Sequence, residues 1–165
     1  MQVERSHFLI PFRLDGQDRF LVWYSDEQDG VLLTDMGAVA LFDSEAAGIA
    51  YAKAKGLSAA VDTSGTWDFD AIACWVETPT AGGIECNTFY NAWNLLGDIA
   101  ASVGKPLEFT EDERHIHGKL FWGCNLPVVT PSGKHFMPAW PEDEVRTLAD
   151  TLLDGLRLAR ESMGH

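Results

Sequence analysis

Strand patterns occupy the first part of this chain and helical patterns the rest, and this order limits the fold more than any other feature. Between residues 8 and 42, four short apolar runs are separated by turn sequences, of which Asp15-Gly16 is the strongest. Consecutive strands with such short connections favour an antiparallel meander. Pro11 has no backbone N–H, so we expect the first strand to lie at a sheet edge or to contain a bulge.

Local capping signals then predict helices. Ser44 suits the N-cap of a helix that ends near Ala54, and Asp68 or Asp70 can cap a second, shorter helix. Apolar residues recur at helical spacing between residues 89 and 103. A return strand is expected over residues 57–61 between the first two helices.

The last helix is expected to be long, because an apolar stripe runs from Val145 to Met163 after Pro141. Strands followed by helices predict an α+β protein with helices packed on one face of a mostly antiparallel sheet. We expect residues 1–165 to form a single domain, with possible lobes at 1–78 and 84–165.

Acidic residues dominate the charge of the chain. Twenty-five Asp and Glu face twelve Lys and Arg, which gives a net charge of −13. A field of this sign repels nucleic acid and anionic membrane and attracts a basic protein partner. We therefore expect partner contacts from two acidic loops, with a further acidic pair behind them. The candidate residues are Asp26, Glu27 and Asp29, then Glu111, Asp112 and Glu113, and finally Asp68 and Asp70.

The sequence lacks the motifs of a metal, cofactor or phosphate site. It has no HExxH, no paired-cysteine spacing and no phosphate-binding glycine loop, so no cofactor is predicted. On a strand, His115 and His117 would point to one face, and Cys86, Cys124 or His135 could complete a metal site. Cys124 is also a candidate nucleophile. These residues support a small enzyme as a second alternative.

Residues 119–140 combine three prolines with four large aromatic side chains and follow neither strand nor helix spacing. Such a segment either packs its aromatic residues inward or displays them for recognition. Trp122 is our candidate for a displayed partner contact. The chain has no apolar run of the roughly 18–20 residues that span a bilayer, and Met1 to His7 lack the pattern of a signal peptide. A cytoplasmic location is therefore expected.

Three short sequence segments are similar to segments of a recurring bacterial protein family of this size. They are the residues 39–45, VALFDSE, the residues 91–98, NAWNLLGD, and the residues 119–127, KLFWGCNLP. Together with its acidic character, the chain resembles the immunity proteins of bacterial toxin–immunity systems, such as those of contact-dependent inhibition. The resemblance implies an inhibitor that covers the active surface of a basic partner, for example a secreted nuclease toxin. An adaptor or regulatory protein-interaction module is the alternative.

Overall fold

The computed structural model describes residues 5–163, so most of the segment that we compared with signal peptides lies outside the described residues. Within these residues, five strands come mostly first and five α-helices mostly afterward, as the sequence predicts, but the predicted fourth strand over residues 38–42 makes only isolated bridges, and β5 and α4 were not predicted. The strands are β1 (Ser6–Leu14), β2 (Gln17–Ser25), β3 (Gly30–Val31), β4 (Ala59–Val61) and β5 (Trp67–Asp68). The helices are α1 (Glu45–Ala54), α2 (Phe69–Glu77), α3 (Cys86–Ser102), α4 (Glu111–Gly123) and α5 (Glu142–Ser162).

The sheet is mixed, with the order β3-β2-β1-β4 and β5 also beside β1. β1, β2 and β3 are antiparallel, as the meander predicts, whereas β4 and β5 run parallel to β1. The prediction that β1 lies at an edge is therefore wrong. Pro11 is tolerated because β4 pairs with residues 7–9 of β1 and β5 with residues 12–13, which leaves a gap in that ladder at Pro11.

The main core lies on one face of the sheet. Neighbouring strand residues point to opposite faces, and the core takes Ile10, Phe12 and Leu14 from β1. α2 and α3 pack on this face, and α5 packs on both helices through Leu152 and Leu156. The core therefore contains side chains from both of the possible lobes, and the α+β class is confirmed.

α1 packs against the other face of the sheet. It contacts β1, β2 and β4, and a Cβ atom at Gly48 would lie 2.5 Å from Cδ1 of Leu9. Leu9 is fully buried although its neighbour Ile10 faces the main core. α1 thus covers the second face of the sheet, opposite the main core. The apolar spacing of α1 alone did not indicate this position.

Two of the predicted helix starts are confirmed at atomic detail. The Ser44 hydroxyl accepts the N–H of Ala47 at 3.1 Å, and the Asp68 carboxylate accepts the N–H of Ala71 at 3.0 Å. Residues 111–117 were predicted as an acidic loop and a strand, and that prediction is wrong, because they begin α4. A capping box starts this helix, in which Thr110 and Glu113 each bond the backbone N–H of the other.

Candidate functional site

A cavity of about 330 Å³ opens between α3, the start of α4 and the loop that joins them. Polar and aromatic side chains share its walls, a mixture typical of binding sites. We call it the α3–α4 cavity. Its lining residues are Gln28, Trp93, Asn94, Gly97, Asp98, Ala101, Pro106, Leu107, Phe109, Arg114 and His117.

Each of the two predicted acidic segments has a neighbouring residue on the cavity wall, while Glu27 and Asp29 themselves line a second pocket that shares Gln28 and Ala101 with it. Gln28, which lines it, stands between Glu27 and Asp29, and Arg114 lines it from the first turns of α4. Glu111 lies three residues before Arg114 and therefore on the same side of the helix. We refer to Glu27, Asp29, Asp98 and Glu111 as the acidic face.

Asp98 is the most strongly perturbed carboxylate of this face. Burial raises its pKa to about 6, and the charge of Asp29 pushes it in the same direction. A hydrogen bond from Nε1 of Trp23, 2.9 Å long, opposes the shift without cancelling it. The sequence analysis did not single out Asp98. The sequence pattern that could have identified Asp98 is an acidic residue directly beside the apolar stripe of α3.

Five of the eight predicted acids accept hydrogen bonds within the protein; one of them is Asp29, whose carboxylate accepts the N–H of Asp26 at 3.1 Å. Asp68 caps α2, and the carboxylate of Asp70 accepts the backbone N–H groups of both residues in the β1–β2 turn. Glu113 completes its capping box and also accepts the hydroxyl of Thr151 in α5 at 3.0 Å. Asp26 is paired with Arg5 at 2.6 Å, and this pair and the N–H of Glu27 lower its pKa.

Glu27, Glu111 and Asp112 remain as exposed acids of the two predicted segments. Asp112 stands in the first turn of α4, next to Glu111, where both carboxylates complement the positive end of the helix dipole. These exposed acids are free to steer a partner because they are not needed to hold the fold together. Of the eight predicted acids, five thus bond within the protein, and Glu27, Glu111 and Asp112 stand exposed.

The predicted pairing of His115 with His117 on a strand is wrong. Two residues apart on a helix are turned by about 200° from one another, so the rings point to different sides. His117 is half-buried between the rings of Tyr90 and Trp93 and bonds the amide of Asn94 at 2.8 Å, and burial lowers its pKa. Within residues 5–163, no group of three or more His, Cys, Asp or Glu side chains is arranged to hold a metal ion.

The surroundings of Cys124 favour the protonated thiol over the thiolate. Burial and the nearby charges of Cys86 and Glu85 raise its pKa to about 11, so it stays protonated at neutral pH. A nucleophilic cysteine requires the opposite shift. Its thiol donates a hydrogen bond to the carbonyl oxygen of Leu120, four residues earlier at the end of α4, with 3.2 Å between Sγ and the oxygen.

Trp122 lies away from the acidic face, at the opposite end of α4. A rise of about 1.5 Å per residue separates it from Glu111 by about 17 Å. Its ring is exposed and contacts that of Phe136, with 5.4 Å between the ring centroids. Of the four aromatic residues in 119–140, Trp122 and Phe136 are displayed, while Phe121 and Trp140 are partly buried. Two of the four rings are thus packed inward and two are exposed, and recognition through the exposed pair stays a prediction.

Comparison of this chain with protein-family models, curated proteins and solved structures found no match. None of the helices within residues 5–163 combines the length and the apolar character that crossing a bilayer requires. The functional assignment therefore depends on the geometry and charge of the acidic face.

Proposed function

We propose that this chain is an acidic binding protein that acts as an immunity-type inhibitor, covering the active surface of a basic partner such as a secreted nuclease toxin. One observation carries the proposal. Asp98 lines the α3–α4 cavity, and Glu27 and Asp29 line a second pocket that shares Gln28 and Ala101 with it, so acids of two chain segments meet in one region of the surface. Charges spread at random for solubility have no reason to converge in this way.

Coulombic attraction explains how such a face would find its partner. A nuclease must bind a polyanion, so its active surface is basic, and an acidic inhibitor competes for that surface and associates quickly. Exposed acids such as Glu27 and Glu111 would supply the attraction over a distance of about 8–10 Å at physiological salt.

Asp98 would supply the anchor. Its carboxylate is partly desolvated and is repelled by Asp29, so a Lys or Arg side chain entering the cavity would be stabilised there more than at an exposed acid. The cavity volume of about 330 Å³ accommodates one such side chain. Trp93 and Phe109 line the same cavity and would contact the aliphatic part of that side chain.

The proposal predicts that a toxin is encoded beside this chain, and co-expression with the domain of that toxin is the test. The wild-type chain should restore growth, and the double change Glu27→Lys with Glu111→Lys should abolish the rescue. The matched control is Asp35→Lys with Asp43→Lys, which alters the net charge equally at two exposed positions outside the acidic face. Rescue by the first variant, or its loss in the control, would contradict the proposal.

A single substitution separates binding from folding. Asp98→Asn keeps the acceptor for Trp23 and removes the charge, so it should weaken toxin binding about tenfold or more while the fold becomes more stable. If Asp98 served the fold alone, binding would be unchanged. Binding by the wild-type chain should also weaken as salt rises.

An adaptor or regulatory module is the second candidate, and the exposed pair Trp122 and Phe136 favours it. Such a module would bind a partner that is not basic. Its affinity would depend little on salt, and Glu27→Lys with Glu111→Lys would leave that affinity unchanged.

A further inference from the structure

A cavity of about 880 Å³ opens at the end of the sheet where β1 begins, between β1, the turn that follows α1, and β4. We call it the β1–β4 groove. Its walls include Arg5, His7 and Asp26 on one side and Leu57, Ser58 and Ala59 on the other. Polar and apolar groups thus share a concave surface of the size that small molecules occupy in proteins.

His7 reaches the β1–β4 groove without a hydrogen-bond partner for its ring. Only 8% of the residue is exposed, and it is the polar member of an otherwise apolar set of buried side chains in residues 5–163. It lies on the same face of β1 as Leu9, so its ring is on the side of the sheet that α1 covers and to which the groove opens. The ring contacts that of Tyr24, with 5.9 Å between the centroids.

The ring nitrogens of His7 are accessible as well as unpaired. In the part of the chain that the structure describes, neither nitrogen makes a hydrogen bond, and the side-chain atom that is both unpaired and sealed from solvent is the Thr130 hydroxyl oxygen. The His7 nitrogens are therefore open to a molecule in the groove. Because polar groups buried to this degree ordinarily have a hydrogen-bond partner, His7 has the position of a ligand-binding side chain.

The charge of the groove is unusual for this chain. Its walls come mainly from residues 5–14 and from the end of residues 46–61, and these two segments contain four Lys and Arg and none of the 25 acids. Asp26 supplies the carboxylate of the wall, but both of its oxygens are already used. One accepts Nε of Arg5 at 2.6 Å, and the other accepts the backbone N–H of Glu27 at 2.8 Å.

The groups that remain for a ligand are hydrogen-bond donors. Arg5 uses Nε for Asp26 and lies over the Tyr24 ring at 4.7 Å, which leaves its two terminal nitrogens available. His7 contacts the same Tyr24 ring, so the guanidinium and the imidazole lie at one end of the groove. The exposed Ser58 hydroxyl on the facing wall can also donate. A set of donors that includes a cation, with no free carboxylate beside it, fits a negatively charged acceptor.

We propose that the β1–β4 groove binds a small molecule through a carboxylate or phosphate group. The anionic group accepts hydrogen bonds from Arg5 and His7, and the rest of the molecule lies along Leu57 and Ala59. Binding gives the His7 ring the partner that it lacks in the protein alone. This site rests on the surroundings of His7 and does not depend on the proposed inhibitor function.

NMR titration of the full chain, labelled with ¹⁵N, tests the proposal. The probes are inorganic phosphate and acetate, each added at constant ionic strength with NaCl as the balancing salt. We expect saturable shifts of the backbone amides of His7, Ser58 and Ala59, with a dissociation constant of about 10 mM or lower for ligands of so few atoms. Saturation by either probe supports the site, and the probe that binds more tightly identifies the anionic group.

Two variants remove the proposed contacts separately. His7→Phe keeps an aromatic ring in the buried position and removes its nitrogens, while Arg5→Gln removes the cation at a position where the side chain is 53% exposed and the core is untouched. Each should weaken binding of the probe at least about tenfold. The matched control is His115→Phe with Arg157→Gln, which removes the same side-chain types at two exposed helical positions and should leave the affinity unchanged.

Three results would overturn the proposal. The first is the absence of saturation up to about 100 mM of both probes. The second is a dissociation constant that Arg5→Gln and His7→Phe both leave within about twofold of the wild-type value. The third is an equal loss of affinity in the control variant, because binding would then follow the overall charge of the chain and not the groups in the groove.

Discussion

Nε1 of Trp23 in β2 donates a 2.9 Å hydrogen bond to the carboxylate of Asp98 in α3. The bond joins the sheet to the helix that lines the cavity. It stabilises the charged form of Asp98, which burial and the charge of Asp29 destabilise. Burial and the charge of Asp29 raise the pKa of Asp98 to about 6, from an ordinary value near 3.8. Ionisation of Asp98 therefore costs stability in the folded protein.

Replacing Asp98 by Asn should stabilise the fold at neutral pH. The folded state holds the Asp98 proton more tightly than the unfolded chain, so stability falls as pH rises from about 4 to about 6 and the full penalty applies above that. Asp98→Asn removes the penalty and should raise the free energy of unfolding by about 1–2 kcal/mol at pH 7.5 and by little at pH 3.5. Urea unfolding at the two pH values measures the difference.

Asp98→Ala is the control for the hydrogen bond. It removes the charge and also leaves the indole N–H of Trp23 without its acceptor, so it should be less stable than Asp98→Asn by about 1 kcal/mol. Equal stability of the Asn and Ala variants would show that the bond contributes nothing. An Asp98→Asn variant less stable than wild type at pH 7.5 would contradict the unfavourable ionisation.

Asp70 should matter for stability and not for partner binding. Its two oxygens accept the N–H groups of Asp15 and Gly16 at 2.6 and 2.9 Å, and both turn residues have positive φ. Asp70→Ala should lower the free energy of unfolding by about 1–3 kcal/mol, because it removes both acceptors from a turn that needs them. Thermal unfolding of purified protein measures this loss.

The control for Asp70 is Asp35→Ala, since the Asp35 carboxylate is fully exposed and its one ion pair, with Lys55, is long at 3.8 Å. It should change stability by less than about 0.5 kcal/mol. Toxin neutralisation should be unchanged by either substitution as long as the protein is folded. If folded Asp70→Ala failed to neutralise the toxin, Asp70 would contribute to partner binding, as its sequence position predicts.

The features that sequence predicted well are those determined by neighbouring residues. Ser44 and Asp68 cap helices through groups three residues away, so the local pattern suffices. The start of α4 was also encoded locally, in the spacing of Thr110 and Glu113, but the acidic run and the His-x-His pattern suggested a loop and a strand. The parallel pairing of β4 with β1 joins residues some fifty positions apart, and no local pattern specifies it.

The site was harder to predict because a carboxylate looks the same in sequence whether it steers a partner or bonds its own backbone. Asp70 and Glu111 are both acids in acidic segments, yet the first closes a hairpin and the second stands exposed at the start of α4. Only the fold separates them. Asp98 went unnoticed for the same reason, since its pKa is raised by burial in the folded protein and by Asp29, which is distant in sequence.

Asn125 should control the order of residues 122–137. It has a φ of +50°, and its side chain makes two hydrogen bonds to the backbone of Phe136 and one to the carbonyl oxygen of Gly123. Asn125→Ala loses the bonds and strains the backbone, Asn125→Gly loses the bonds alone, and Asn125→Asp keeps the acceptor for the Phe136 N–H. Hydrogen exchange at Phe136 should therefore accelerate in the Ala and Gly variants and stay slow in the Asp variant. Slow exchange at Phe136 in the Gly variant would contradict this role of the Asn125 side chain.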